Sequence, residues 1–326
     1  MVTKRSVLGF VPALAFGMTV SVTMAQAQED WPQGQVQIVS TTAPGGGADN
    51  MLRAFADFFQ KQTGQAAVIE NKPGTAGAVA VQAIKDKPAD GSTFLQLSVS
   101  ISSGNPAVFK ELSYDAGKDF TPVGMLGVFP YIVVVRPDSP FQTMDDLIKA
   151  AKAEPGNITY GFSSAASQIP PELIKIQANI DMLGVRYKAA PQVVTDVAGG
   201  QVEFAVLDGI SVISSIKGGL LRPLAVTSAE RFGELPDVQA LAEILPGFNY
   251  EGWVGMGART GVPQPILERM NALMVEAIKN PDTIKALKAT GAAPRSMSLE
   301  EINKFVVEDR KNWVEMVRVA KIPQVD

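Results

Sequence analysis

Short runs of β-branched and apolar residues alternate with helix-like segments along most of this chain, and this alternation constrains the fold more than any other feature. Strands are predicted at residues 36–41, 66–70, 93–98, 123–127, 131–135, 158–161, 185–188, 203–207 and 224–227. Helical patterns separate many of these runs, and from Pro263 onward the pattern is nearly all helical. This order predicts an α/β fold with a mostly parallel sheet and helices on both faces.

Helix ends are marked by residues that satisfy free backbone groups. Gly64 is expected to end the first helix, and Thr143 to begin a later one with acidic residues in its first turn. The last helix opens with the capping box Ser298-x-x-Glu301. These signals support the predicted helices independently of their hydrophobic periodicity.

The N-terminus has the pattern of a secretory signal. Lys4 and Arg5 precede an apolar run at residues 7–22, and Ala25-Gln26-Ala27 matches the motif that signal peptidases cleave. The run is shorter than the ~20 residues of a membrane span. Residues 1–27 are therefore predicted to be removed by cleavage before Gln28, and an uncleaved N-terminal anchor is the alternative.

The composition excludes many kinds of catalytic site. The chain contains no Cys and no His, which excludes disulfides, thiolate zinc sites, Ser-His-Asp triads and HExxH zinc helices. Removal of Lys4 and Arg5 changes the formal net charge from −4 to −6 (−4 − 2), which predicts no binding of nucleic acid. These features favour binding over chemistry, and they predict no metal and no cofactor.

A glycine-rich loop links the first predicted strand to the first helix. In Ala43-Pro-Gly-Gly-Gly-Ala48-Asp49, the glycines let a ligand approach the backbone, and the helix N-terminus adds unpaired N–H donors. Pro44, Gly45 and Gly46 are candidate ligand-binding residues, and Asp49 is expected to cap some of the donors from the side. A plain strand-to-helix turn is the alternative.

The second predicted strand leads into a similar loop, Glu70-Asn-Lys-Pro-Gly-Thr-Ala-Gly77. Gly74, Thr75, Ala76 and Gly77 are candidates to bind a ligand through N–H groups and one hydroxyl. Both helix N-termini are predicted to point to the same sheet edge, where open α/β sheets bind their ligands. The pair of loops predicts a site for a small carboxylate.

Both loops belong to an ordered set of motifs that spans the chain after the predicted signal. The set resembles the substrate-binding receptors of tripartite tricarboxylate transporters, also called the Bug family. The motifs that carry the resemblance are Trp31-Pro32, residues 44–49 with Arg53, residues 70–77 and 88–91, Tyr187-Lys188, residues 199–203, 222–228 and 235–237, Trp253 and residues 261–263.

The resemblance implies a two-lobed periplasmic binding protein, or Venus flytrap. Each lobe is expected to be a mostly parallel sheet flanked by helices, and two crossing strands join the lobes. Residues 28–128 with 251–326 would form the first lobe, and residues 129–250 the second. The resemblance further implies a monomer that binds a small organic carboxylate in the cleft and delivers it to integral-membrane transporter subunits.

Further candidate contacts follow from where the resemblance places the cleft. Ser98 follows a strand of the first lobe, and Ser163, Ser164 and Ser167 lie in a loop of the second lobe that is usually rich in glycine. Thr42 stands where the family usually has an aromatic residue, and its hydroxyl is expected to contact the ligand.

Two other positions keep two interpretations each. Asp208 either contacts the ligand or caps the next helix. Arg186 and Lys188 are either solvated or paired with a second carboxylate of the ligand. Because several motif residues depart from the family pattern, the sequence does not identify the carboxylate.

Two alternative functions follow from the same sequence. A periplasmic sensor that presents its ligand to a receptor kinase would keep the same fold. An exported enzyme acting on small carboxylates would need a Ser–Lys or carboxylate pair in place of the missing His and Cys.

Overall fold

The structure, a computed structural model, describes residues 31–324 except for the side chain of Thr75. The predicted signal, residues 1–27 with cleavage before Gln28, lies outside the described residues. The strands are β1 (Val36–Ser40), β2 (Ala67–Asn71), β3 (Thr93–Ser98), β4 (Phe120–Val135), β5 (Thr159–Phe162), β6 (Leu183–Arg186), β7 (Phe204–Asp208), β8 (Arg222–Val226), β9 (Gln239–Ala240), β10 (Glu251–Arg259) and β11 (Ala293–Pro294). The helices are α1 (Gly47–Thr63), α2 (Ala78–Lys85), α3 (Asn105–Val108), α4 (Met144–Ala153), α5 (Ala165–Ala178), α6 (Ala190–Ala198), α7 (Gly209–Lys217), α8 (Gln264–Ala277), α9 (Pro281–Ala289) and α10 (Leu299–Val319).

The strands form two halves that share β4. In the first half, β1 pairs in parallel with β2 and β3, and β10 runs antiparallel between β3 and β4. In the second half, β5 pairs in parallel with β6 and β7, while β7 and β8 run antiparallel to β4. We count β11 and helices α1–α3 and α8–α10 with the first half, and helices α4–α7 with the second. The predicted mixed α/β fold is confirmed.

The two strands predicted at residues 123–127 and 131–135 are one continuous strand, β4. The residues between them stay extended because β4 pairs with β10 as far as Pro130. From Tyr131 onward the same strand pairs with β7 and β8 of the second half. The predicted lobe limits at residues 128 and 251 stay a prediction, and this exchange of partners is the observation that supports them.

The chain returns from the second half to the first at Tyr250, just before β10, and this return is hydrogen-bonded to β4 at Tyr131 through Thr227. The amide of Thr227 donates to the carbonyl of Tyr131 at 2.9 Å, and the amide of Tyr250 donates to the carbonyl of Thr227 at 2.8 Å. The hydroxyl of Thr227 accepts from the amide of Tyr131 at 2.8 Å. The rings of Tyr131 and Tyr250 meet edge to face with centroids 4.9 Å apart. Both connections are therefore held together by one threonine.

The core lies where apolar helix faces meet the sheets. Met51, Leu52, Phe55 and Phe59 of α1 are all fully buried and lie on one face of the helix. Gly64 ends α1 in the left-handed region at φ 72°, where its amide donates to the carbonyl of Gln60. Within residues 31–324, no helix combines the length and the apolar character needed to cross a membrane.

The predicted helix caps are also confirmed. Thr143 begins α4 with a capping box to Asp146, and Ser298 begins α10 with a capping box to Glu301. Trp313 of α10 is only 2% exposed and belongs to the core.

A substitution at Gly255 tests how closely β10 packs against β4. A Cβ added at Gly255 would lie 2.3 Å from the carbonyl oxygen of Gly124, which is a backbone atom. We expect Gly255→Ala to lower the free energy of unfolding by roughly 1–3 kcal/mol, measured by urea denaturation. Gly34→Ala is the control, because a Cβ there would meet no atom within 4 Å. Equal stability of the two variants would contradict the close packing.

Candidate functional site

The two glycine-rich loops lie side by side at the carboxyl ends of β1 and β2. The strands pair in parallel from Val36 with Ala67 to Ser40 with Asn71. The side-chain amide of Asn71 then donates to the carbonyl of Thr42 at 2.9 Å and to Asp49 at 2.7 Å. The prediction that both loops share one sheet edge is therefore confirmed.

Asp49 holds the first loop in place from inside. Its fully buried carboxylate accepts from the amide of Gly45 and from Nε of Arg53, both at 2.8 Å. Burial alone would raise the pKa of Asp49, but the hydrogen bonds from Arg53, Asn71 and Gly45 together hold its pKa below the usual value of 3.8. The expectation that Asp49 caps donors of this loop is confirmed, so the amide of Gly45 already has a partner.

The first loop also packs against the second half. A Cβ added at Gly47 would lie 2.7 Å from Cβ and from the carbonyl oxygen of Ile210, at the start of α7. Asp208 caps that helix, since its carboxylate accepts from the amide of Ser211 at 2.9 Å. Of the two interpretations of Asp208, the structure shows the cap. Burial raises the pKa of Asp208, against the hydrogen bonds from Ser211.

A cavity of about 300 Å³ opens between the two halves. From the first half it is lined by Ala76, Ser100, Asn105, Val108, Phe109 and Trp313. From the second half it is lined by Phe162, Ser163, Ser164, Ala166, Gln168 and Arg186. Ala165, Ile322, Pro323 and Gly104 complete the wall.

Three of the predicted site residues, Ala76, Ser163 and Ser164, come together at this cavity. The others lie outside its wall or serve the loops themselves, and their ligand contacts stay a prediction. These residues are Thr42, Pro44, Gly45, Gly46, Gly74, Gly77, Ser98, Ser167 and Asp208. The side chain of Thr75 is outside the described part of the chain, so its contact also stays a prediction.

The start of α5 presents free backbone donors to the cavity. Ser164 is the N-cap, and its hydroxyl accepts from the amide of Ser167 at 3.3 Å. The hydroxyl of Ser167 accepts from the amides of Ser163 and Ser164, both at 3.1 Å. The amides of Ala165 and Ala166 stand in the first turn, where an α-helix provides no backbone acceptor. Ser167 therefore positions the loop, while the amides of Ala165 and Ala166 are available to a ligand.

A proline in α5 links this helix start to the connection between the halves. Pro170 has no N–H, so the carbonyl of Ala166, four residues earlier, lacks its helical donor. The hydroxyl of Tyr250 donates to that carbonyl instead, at 3.0 Å. Tyr250 precedes β10 and is bonded to Thr227, so the cavity wall is connected directly to the crossing point.

The second loop reaches the cavity through a left-handed turn. Ala76 has φ 50°, which is unusual for a residue with a side chain, and its carbonyl accepts from the side-chain amide of Asn105 at 2.8 Å. Gly77 follows at φ 90°, and a Cβ there would lie 2.7 Å from Ile101. Strained backbone of this kind persists only where its surroundings fix it, and it is concentrated at ligand sites.

The sequence left several cavity residues unassigned. Gln168 and Trp313 gave no signal, because a polar residue in a helix and a tryptophan with a packing role are both common. Ser100, two residues beyond the predicted Ser98, lines the cavity, and so does Arg186, which the sequence left either solvated or paired with a second carboxylate. Lys188 does not. In the described part of the chain, no group of three or more acidic side chains is placed to hold a metal ion.

Comparison with known proteins decides the family. The family profile described as "Tripartite tricarboxylate transporter family receptor" matches residues 51–322. This chain belongs to that family. Protein BugT of Bordetella pertussis is 28% identical over 310 residues, covering 93% of this chain and 94% of BugT. The UPF0065 protein in the tcbD-tcbE intergenic region of Pseudomonas sp. strain P51 is 29% identical over 318 residues, covering 96% of this chain and 94% of that protein.

Several solved structures share the fold. Rpa4515 of R. palustris, described with adipate, superposes with a TM-score of 0.83 at 28% identity, covering 90% of this chain and 100% of that chain. MatC (Rpa3494) from Rhodopseudomonas palustris, described with bound malate, gives 0.75 at 25% identity, covering 88% and 100%. The periplasmic binding protein BugD gives 0.78 at 24% identity, covering 90% and 100%, and shows the fold alone. The predicted two-lobed fold and the predicted family are confirmed.

The contribution of Asp49 to the stability of the fold should depend on pH. We expect Asp49→Asn to lower the free energy of unfolding by about 1–3 kcal/mol at neutral pH, because the buried donors around it lose a charged acceptor. The folded pKa of Asp49 lies below 3.8, so its contribution is complete above the unfolded pKa and is lost as the pH falls through the folded pKa. Urea denaturation across acid pH should show the two proteins converging. Asp57→Asn, at an exposed position of α1, is the control, and a constant difference down to the lowest pH would refute the argument.

The bond from Tyr250 to Ala166 is tested by a double-mutant cycle. Tyr250→Phe should cost about 1–3 kcal/mol of unfolding free energy, because a buried carbonyl loses its donor. In a Pro170→Ala background the cost should be smaller, because the restored amide at position 170 donates to the same carbonyl. Additive effects in urea denaturation would show that the proline is not the reason for the tyrosine bond.

Proposed function

We propose that this protein is a periplasmic receptor that binds a small organic carboxylate between its two halves and delivers it to a tripartite tricarboxylate-type membrane transporter. The observation that carries the proposal is the charge of the cavity wall. Arg186 lines the cavity, and none of the described residues that line it is acidic. A wall of this charge complements an anion.

The start of α5 supplies directed donors for a carboxylate. The amides of Ala165 and Ala166 carry part of the positive end of the helix dipole, and both residues line the cavity. The hydroxyls of Ser100 and Ser163 and the side-chain amide of Gln168 line it as well, and none has a hydrogen-bond partner among the described residues. These groups fit an acceptor-rich ligand, with ordered water filling gaps between them.

A binding role accounts for the chemistry of the wall better than a catalytic one. The chain has no His and no Cys, and the described cavity residues include no carboxylate that would act as a general base. Relatives described with adipate and with malate support a carboxylate as the ligand of this receptor too.

Delivery to a transporter would use the arrangement of the halves. We propose that residues 28–128 with 251–326 and residues 129–250 act as two lobes that close on the ligand by rotation about the Thr227 crossing point. Residues 1–27 would direct the chain to the periplasm, where the mature protein would act as a monomer. The membrane subunits would then recognise the closed form.

The proposal is tested by titrating the purified mature protein with aliphatic and aromatic mono-, di- and tricarboxylates. A bound carboxylate at 100 times its Kd should add about 2.7 kcal/mol of stability, which a thermal-shift assay detects. We expect Ser163→Trp to abolish this response, because the indole fills the cavity. Ser214→Trp, on the exposed side of α7, should leave the response unchanged.

Three results would contradict the proposal. Stabilisation by none of the carboxylates would remove the receptor function, and turnover of one of them would favour the exported enzyme. Deletion of the gene should abolish uptake of the identified carboxylate by the cell. Unchanged uptake together with a lost transcriptional response would favour the sensor.

A further inference from the structure

We propose that a second cavity, which lies between β10 and α10, binds a small alkylammonium ion. This rear cavity has a volume of about 420 Å³. Among the described residues, it shares a single lining residue, Trp313, with the cavity between the halves. The proposed receptor function does not use the rear cavity, so the inference stands independently of that function.

β10 and α10 place two carboxylates at the rear cavity. Glu251 and Trp253 are two residues apart in β10, so their side chains lie on the same face of the strand. On that face the ring of Trp253 meets the ring of Phe305 in α10, with centroids 5.8 Å apart, and its indole N–H donates to Asp309 at 3.3 Å. Glu251 therefore faces α10 as well, and Glu251 and Asp309 line the same space.

Neither carboxylate has a cationic partner among the described residues. Glu251 is partly buried, yet it makes no hydrogen bond and no ion pair there. Asp309 accepts from two neutral groups, the hydroxyl of Ser103 and the indole of Trp253. Burial raises the pKa of Asp309, against these two hydrogen bonds and the charge of Arg310. Because a desolvated carboxylate costs free energy until an opposite charge compensates it, a cation in the rear cavity would be stabilised.

The charges around the rear cavity also favour a cation. Of the described residues that line it, Glu251, Asp309 and Glu315 are acidic, whereas Arg295 alone is basic. Glu315 is already paired with Arg318 on the same helix. Burial raises the pKa of Glu251, against the charge of Arg295. One arginine therefore does not compensate the two remaining carboxylates.

The apolar part of the wall favours an organic cation over a metal ion. Val128, Phe305 and Met316 line the rear cavity, together with the rings of Trp253 and Trp313. Alkyl groups on a nitrogen gain free energy against such a surface, and aromatic faces attract their positive charge. A hard metal ion would need several oxygen ligands, and no group of three or more acidic side chains in the described part of the chain is placed to provide them.

The test compares choline with 3,3-dimethylbutan-1-ol, an uncharged analogue in which a carbon replaces the nitrogen. Binding of each to the mature protein is measured by calorimetry at constant ionic strength. We expect choline to bind at least about tenfold more tightly than the analogue, and Glu251→Gln to weaken choline about tenfold. Glu308→Gln is the matched control and should change the affinity less than about twofold, because Glu308 is an exposed carboxylate of α10 that does not line the rear cavity.

A second pair of variants tests the location without removing a charge from the core. Asn312 lines the rear cavity from the exposed surface of α10, so Asn312→Trp should fill the cavity and abolish choline binding in a folded protein. Its exposed neighbour Lys311 does not line the cavity, and Lys311→Trp should leave the binding unchanged. Ser163→Trp, which fills the cavity between the halves, should leave choline binding unchanged as well.

Three results would overturn the inference. The first is absence of choline binding, or equal binding of choline and its uncharged analogue. The second is an affinity for choline that neither Glu251→Gln nor Asn312→Trp changes. The third is loss of choline binding in Ser163→Trp, which would place the cation between the halves. None of these results bears on carboxylate binding, so the proposed function succeeds or fails separately.

Discussion

A single strand belongs to both halves of the molecule, and the placement of the cavity depends on it. β4 pairs with β10 as far as Pro130 and with β7 and β8 from Tyr131, without a break between. Backbone hydrogen bonds hold it on both sides of this point, which opposes sliding of one half past the other. Thr227 ties the other connection to the same place through Tyr131 and Tyr250. The proposed closing movement would therefore be a rotation about this point, which would change the width of the cleft and keep its walls facing each other.

Polar side chains near the predicted site serve the backbone around it. Asp49 and Asn71 hold the first loop, Ser167 holds the start of α5, and Asp208 caps α7. Asp49, Ser167 and Asp208 each accept from backbone amides that would otherwise be free. Ser167 and Asp208 were predicted as candidate ligand contacts, and their observed hydrogen bonds hold the protein's own backbone.

The sequence predicted the helices well because the residues that indicate a helix lie within it or next to it. Helical spacing up to Gly64 and the capping boxes at Thr143 and Ser298 depend on neighbours within a few residues, and the structure contains these helices. The continuity of β4 was missed, since it depends on β10, which lies more than a hundred residues away along the chain. The family resemblance supplied the two-lobed arrangement, which local patterns alone do not contain.

The candidate site was predicted less completely, for a physical reason. A serine or aspartate at the start of a helix suits a cap and a ligand equally well, and only the tertiary contacts at Ser167 and Asp208 show which role it has. Gly47 adds a consequence of another kind. A Cβ there would lie 2.7 Å from Ile210, so the backbone of the first loop meets the start of α7 with no room for a side chain between them. Any larger residue at position 47 would push the two halves apart at this contact, so the fit between them depends on the absence of a single methyl group.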